Sequence, residues 1–155
     1  MPKLVVTAGV TVPASPQQVF DLAMDWSRQH EWMLGTEVRG GTGVGAQVEA
    51  RTGLGPAGFT DTMVITEWDP PRRCVVRHTG QLVRGEGVFE VIERAAGSEF
   101  RWTERLDLPF ASAGPLGRFV VMPAARILVA PPARIGLASS LRRFARLFSP
   151  AARPA

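Results

Sequence analysis

The chain of 155 residues contains one cysteine, two histidines and no tyrosine, and no acidic residue follows Asp107. Cys74 alone excludes an internal disulfide framework. With His30 and His78 far apart in sequence it also leaves no zinc-ligand spacing, so neither a metal nor a cofactor is expected. Without tyrosine, no phenol can serve as an acid or a donor. The most apolar run, Phe119 to Ala138, is broken by Pro123, Pro131, Pro132, Arg126 and Arg134, which argues against stable membrane insertion. The start, Met1-Pro2-Lys3-Leu4, lacks the apolar segment of a signal peptide, and a cytoplasmic location is expected. The turn Thr42-Gly43-Val44-Gly45 has no strand-to-helix step and no following lysine, so it does not match a phosphate-binding loop.

What is present is an ordinary globular composition, 45% hydrophobic and 21% charged, with an uneven charge. Seven of the 18 basic residues (Arg118, Arg126, Arg134, Arg142, Arg143, Arg146 and Arg153) follow the last acidic one, leaving 11 basic against 14 acidic residues before them. The aromatics are not interleaved with these arginines as a nucleic-acid platform requires, so no nucleic-acid partner is expected. The arginines read as the solvated face of an amphipathic helix, with weak contact to anionic surfaces as the functional alternative.

The most informative stretch runs from Phe59 to Leu108. It reads as four strands joined by turns at Asp69-Pro70-Pro71-Arg72, Thr79-Gly80-Gln81 and Ala95-Ala96-Gly97-Ser98. In the last strand Phe100, Trp102, Glu104, Leu106 and Leu108 alternate with Arg101, Thr103, Arg105 and Asp107. Turn positions then set Val91 opposite Trp102, Phe89 opposite Glu104 and Gly87 opposite Leu106. They likewise set Gly85 opposite Val76, Val83 opposite His78, Ile65 opposite Val76 and Met63 opposite His78. One face thereby collects Met63, Ile65, Cys74, Val76, Val83, Phe89, Val91, Phe100, Trp102 and Leu106, together with Asp61, His78 and Glu104. Gly85 and Gly87 leave an opening in its middle. Such a face suits a pocket wall better than a filled core. The other reading is a bulge at the glycines, with the polar groups at the wet end of the sheet. Arg84 falls on the outer parity, and only a bulge there would turn it inward as an anion clamp.

Upstream, Lys3 to Val12 alternates as a strand with Leu4, Val6, Ala8, Val10 and Val12 facing in. Ser15 and Pro16 are N-cap and first-turn residues of a helix from Pro16 to about Asp25 that buries Val19, Phe20 and Ala23. A second short helix, Trp26 to Met33, carries Trp26, His30 and Trp32 and forms either one wall of a pocket mouth or packing for the sheet edge, with His30 at the surface. Gly35 to Gly41 and Ala46 to Gly53 are short strands, with Val48 and Ala50 facing in. Leu54 to Gly58 is a loop. After the loop from Pro109 to Gly117, the pattern turns helical from about Leu116, and Leu137, Leu141, Phe144 and Phe148 share one face. Pro131-Pro132 predicts a kink or break, with the second segment starting at Pro132. Residues 1–149 read as a single domain, and 150–155 as a frayed tail.

This order of elements, β-α-α-β6-α, resembles the START-like superfamily (helix-grip, or SRPBCC) and its polyketide cyclase/dehydratase group. The similarity rests on Val10-Thr11-Val12-Pro13-Ala14-Ser15-Pro16-Gln17-Gln18-Val19-Phe20, on Trp26 and Trp32, on Trp68-Asp69-Pro70-Pro71-Arg72 and on Gly114-Pro115-Leu116-Gly117. None of these is a catalytic signature. The resemblance implies an α+β fold in which a curved antiparallel sheet of about seven strands wraps a long C-terminal helix around a hydrophobic cavity. It implies binding of a small hydrophobic molecule, such as a lipid or polyketide-like compound. The expected ligand-binding residues are Asp61, Met63, Val76, His78, Gly85, Gly87, Phe89, Trp102 and Glu104. The alternative is a cyclase/dehydratase with Glu104 and His78 as acid and base, against a purely structural role in which these two satisfy each other or Arg84.

Overall fold

In the computed structural model, which describes residues 3–81, 83–107, 127 and 129–149, the elements follow the expected order. They are β1 (Lys3–Val12), α1 (Pro16–Ala23), a 3-10 helix (Trp26–Glu31), β2 (Thr36–Gly40), β3 (Gln47–Thr52), a short 3-10 turn (Gly55–Ala57), β4 (Phe59–Asp69), β5 (Arg73–His78), β6 (Gly85–Arg94), β7 (Gly97–Asp107) and α2 (Ala130–Arg146). All strands join one antiparallel sheet in the order β1-β7-β6-β5-β4-β3-β2, so the first strand pairs with the last. The sheet curls as a half-barrel with α2 in its grip.

Local chemistry explains the entry to the site. Ser15 caps α1 by accepting from the Gln18 backbone N–H at 3.2 Å, while the Gln18 side chain accepts from the Ser15 N–H at 3.0 Å. Val19, Phe20 and Ala23 are buried as expected, and α1 ends at Ala23 rather than Asp25. The following segment is a 3-10 helix, anchored by the Trp26 indole N–H to the Gly41 carbonyl at 2.8 Å. His30 lies at the surface.

The Pro131-Pro132 pair sits in the first turn of α2, where the missing amide donors have no helical partner to lose. The helix therefore begins at Ala130 and continues unbroken through Arg146. The expected loop from Pro109 to Gly117, most of the helical run before Ala130 and the tail from Pro150 lie outside the described residues. Leu141 and Phe144 are fully buried, with Leu137 and Phe148 packed alongside. The Phe144 ring meets Phe100 of β7 at 4.6 Å and Trp32 at 5.2 Å between centroids. Aromatic pairs of this kind add about 0.5–1.5 kcal/mol each to area burial, so this cluster is what clamps α2 onto the sheet.

Two registers differ from expectation. Phe89 pairs with Trp102 and Gly87 with Glu104, because the β6–β7 hairpin turns on Ala95-Ala96 with Arg94 opposite Gly97. His78 pairs with Gly85 and Val76 with Gly87, because the β5–β6 connection runs from Thr79 to Arg84 and is no tight turn. Both errors are of two residues, which leaves every side chain on its expected face. The Met63–His78 and Ile65–Val76 pairs are as expected. Beyond them the β4–β5 register shifts between Ile65 and Glu67, with Trp68 then opposite Cys74. Strict alternation from Ile65 would put Trp68 outside. The bulge turns it inward, edge-on to Phe20 at 5.4 Å.

Candidate functional site

A cavity of about 130 Å3 lies on the inner face of the sheet. One wall comes from β4 to β7, with Asp61, Met63, Val76, His78, Phe89, Trp102 and Glu104, plus Val83 from the preceding loop. The other comes from the 3-10 helix, with Trp26 and Gln29, from Met33 just after it, and from β2 and β3, with Thr36, Val38, Val48, Ala50 and Thr52. Phe59 lies at the start of β4. Of the nine residues expected to contact a ligand, seven line this space.

Gly85 and Gly87 do not line it, and the opening expected above them is occupied. A Cβ on Gly87 would stand 3.1 Å from both the Glu104 carboxylate and the Val76 side chain. Over this bare position two long side chains meet from strands that are not neighbours. The His78 Nε2 of β5 and the Glu104 Oε2 of β7 are 3.2 Å apart, although β6 runs between them. The glycine thus permits the contact. On its other side, His78 Nδ1 lies 2.7 Å from Asp61 Oδ2. The Trp102 indole N–H donates to Glu104 Oε1 at 2.6 Å. Asp61, His78, Glu104 and Trp102 therefore form one continuous polar chain along an otherwise apolar wall.

The chain is secluded: side-chain exposure is 6% for His78, 13% for Asp61 and 14% for Glu104. Burial pushes the His78 imidazolium toward losing its proton. The hydrogen bonds and charges of Asp61 and Glu104 outweigh this and hold the group up at about 9. At neutral pH His78 is therefore a cation between two carboxylates, with both ring N–H groups donating. Asp61 Oδ1 has no hydrogen-bond partner among the described residues and lies under Gly80.

Arg84 is exposed and does not line the cavity; the register through Gly85–Gly87 is regular on both sides, so nothing turns it inward. The Cys74 thiol is pushed up to about 12, by burial first and then by the charge of Glu67, so it is no nucleophile at neutral pH. Among the described residues no group of three or more His, Cys, Asp or Glu is placed to hold a metal ion. No helix among them is long and apolar enough to cross a membrane. The lining residues not singled out from sequence are Gln29, Met33, Thr36, Val38, Thr52 and Phe59. Two of these continue the two-residue parity of residues already assigned inward, Thr52 following Val48 and Ala50 and Phe59 preceding Asp61 and Met63, while Thr36 and Val38 share a face of β2, a strand for which no inward residue was assigned.

A seven-stranded antiparallel sheet curled on a C-terminal helix over an internal cavity defines a helix-grip protein of the START-like superfamily. Residues 3–148 match the family described as polyketide cyclase / dehydrase and lipid transport, and the chain belongs to that family. No curated protein matches the chain in sequence. Among solved structures it is similar to the di-domain ARO/CYC StfQ from the steffimycin biosynthetic pathway, with a TM-score of 0.73 at 11% identity over 94% of this chain and 50% of that one. A protein of Thermus thermophilus gives a TM-score of 0.69 at 19% identity, covering 97% and 100% of the two chains. The polyketide cyclase-like protein of Corynebacterium glutamicum gives 0.61 at 19% identity, covering 95% and 93%. At these identities the likeness is one of fold.

Proposed function

We propose that the chain binds a small hydrophobic ligand in this cavity. The observation that carries the reading is a largely apolar space whose ionisable groups form one connected chain, with Gln29, Thr36 and Thr52 as the other polar side chains of its described lining, the arrangement by which a site gains affinity from burial and orientation from a few hydrogen bonds. The family's lipid-transport and cyclase members support a hydrophobic guest. Size narrows the class. About 130 Å3 is close to the ~150 Å3 of an engineered apolar cavity that takes up benzene, and well under the ~300 Å3 at which drug-sized sites begin. In this conformation the guest is about one ring, and a lipid- or polyketide-sized molecule requires the walls to move apart.

The test is native mass spectrometry of the purified protein with extraction of anything bound, followed by thermal shift with toluene and indole. A guest at one per chain, or a rise in Tm with either probe, is the expected result. At a free probe concentration of a hundred times Kd the stabilisation is about 2.7 kcal/mol. A protein that carries nothing and whose Tm ignores both probes sinks the reading.

The contact between His78 and Glu104 favours a second reading, a cyclase/dehydratase that removes a proton next to a carbonyl and releases water. With His78 charged, Glu104 would act as the base and His78 as the acid, after the guest displaces one of the His78 hydrogen bonds. Under this reading Glu104→Gln abolishes turnover while ligand retention persists. Under the binding reading there is no turnover to lose.

A further inference from the structure

Resting on the reading of the cavity as a ligand site, we propose that its guest presents a hydrogen-bond donor, a hydroxyl or a protonated amine on a single-ring skeleton, and that carboxylates and other anions are excluded. The reason is an imbalance between donors and acceptors. Both ring N–H groups of His78 are engaged by Asp61 and Glu104. The Trp102 N–H is engaged by Glu104, and the Trp26 N–H by the Gly41 carbonyl. The hydroxyls of Thr36 and Thr52 bond each other at 3.1 Å, and Thr36 also reaches the Leu34 carbonyl at 3.4 Å. The Gln29 amide gives one of its two N–H groups to the Ala23 carbonyl. Among the described residues that line the cavity, almost nothing is left to donate.

Acceptors are in surplus. Each carboxylate offers roughly four lone-pair sites, yet Asp61 and Glu104 together receive only three hydrogen bonds from the cavity wall. Charge points the same way. Two carboxylates share one imidazolium, and no arginine or lysine lines the cavity among the described residues. Among the described residues an entering anion would meet a net negative end with no free cation and no unengaged side-chain N–H beyond that of Gln29. An entering ammonium or hydroxyl would find oxygen acceptors already held in place by His78 and Trp102.

The experiment uses the whole chain at pH 7 and four probes of one skeleton: toluene, benzyl alcohol, benzylamine (cationic at this pH) and benzoate, titrated by calorimetry. The ammonium and the carboxylate are similarly costly to desolvate, so their ratio reports the polarity of the site and not burial. Benzylamine is expected to bind at least tenfold tighter than benzoate, with benzyl alcohol also tighter than benzoate. In Glu104→Gln, and separately in Asp61→Asn should the first variant fold poorly, the ratio is expected to fall to threefold or less. Benzoate binding as tightly as benzylamine, with toluene bound, overturns the inference and leaves the cavity a ligand site. Failure of all four probes, toluene included, overturns the ligand-site reading itself and the inference with it.

Discussion

Replacing His78 with alanine is expected to cost about 3–5 kcal/mol of stability at pH 6, because it leaves two secluded carboxylates facing each other with no cation between them. The wild-type protein offers the matching observation without any substitution. Burial lowers the His78 pKa, but hydrogen bonds to and charges of Asp61 and Glu104 raise it further, from 6.5 to about 9. Between those values the folded chain holds a proton that the unfolded chain has released. Stability therefore falls as pH rises: the contribution is whole below pH 6.5 and is lost as pH passes through about 9. A shift of this size corresponds to about 3 kcal/mol, in line with the cost assigned to the variant. Above pH 9 a second group enters. Cys74, held up at about 12 in the fold, ionises from its ordinary value of 9.0 in the unfolded chain and lowers stability further. Urea midpoints from pH 6 to 9 test the assignment. The wild type is expected to decline across that window and His78→Ala to stay flat, and a wild-type midpoint unchanged from 6.5 to 9 would sink it.

The inner face of the sheet was legible because side-chain parity depends only on counting by two. Val76, Phe89, Trp102, His78 and Glu104 stayed on one face even though two of three hairpin registers were off, since each error was of two residues. The polar chain was legible only as one alternative, a pairing of His78 with Glu104, and its direct contact and its links to Asp61 and Trp102 were not, because they depend on register itself. In the expected pairing Glu104 faces Phe89, and a ring stands where the contact with His78 must pass. In the actual pairing Glu104 faces Gly87, with His78 one step along on the next strand opposite Gly85. Which glycine sits under the bridge is decided by turn length, and the six residues from Thr79 to Arg84 carry no marker of how many of them turn. The bulge at Thr66 was equally silent, with no glycine or proline to announce it. The start of α2 was legible to within two residues because two consecutive prolines are tolerated at few places other than a first turn.

Gly85→Ala is expected to be among the most damaging single-methyl additions to the described sheet, at about 3 kcal/mol or more. Gly85 has φ +124°, a conformation closed to residues with a side chain, and an added Cβ would overlap the Arg105 backbone carbonyl of the neighbouring strand. Backbone cannot step aside as a flexible side chain can, so β6 must move away from β7. In a chain of this length a loss of that size lowers Tm by roughly 6–12 °C. Gly136→Ala is the control. Gly136 is exposed on α2, and an added Cβ there meets none of the described residues within 4 Å. That change is expected to raise stability by about 0.8–1.0 kcal/mol through helix propensity. The contrast also reaches the site. His78 meets Glu104 across β6, so a displaced β6 lengthens the 3.2 Å contact and weakens one of the two interactions that hold the imidazolium charged. NMR titration of His78 in Gly85→Ala should then give a pKa below the wild-type value of about 9. An unchanged Tm, or a His78 titration identical to wild type in a destabilised variant, would show that the bridge does not depend on how closely β6 sits against β7.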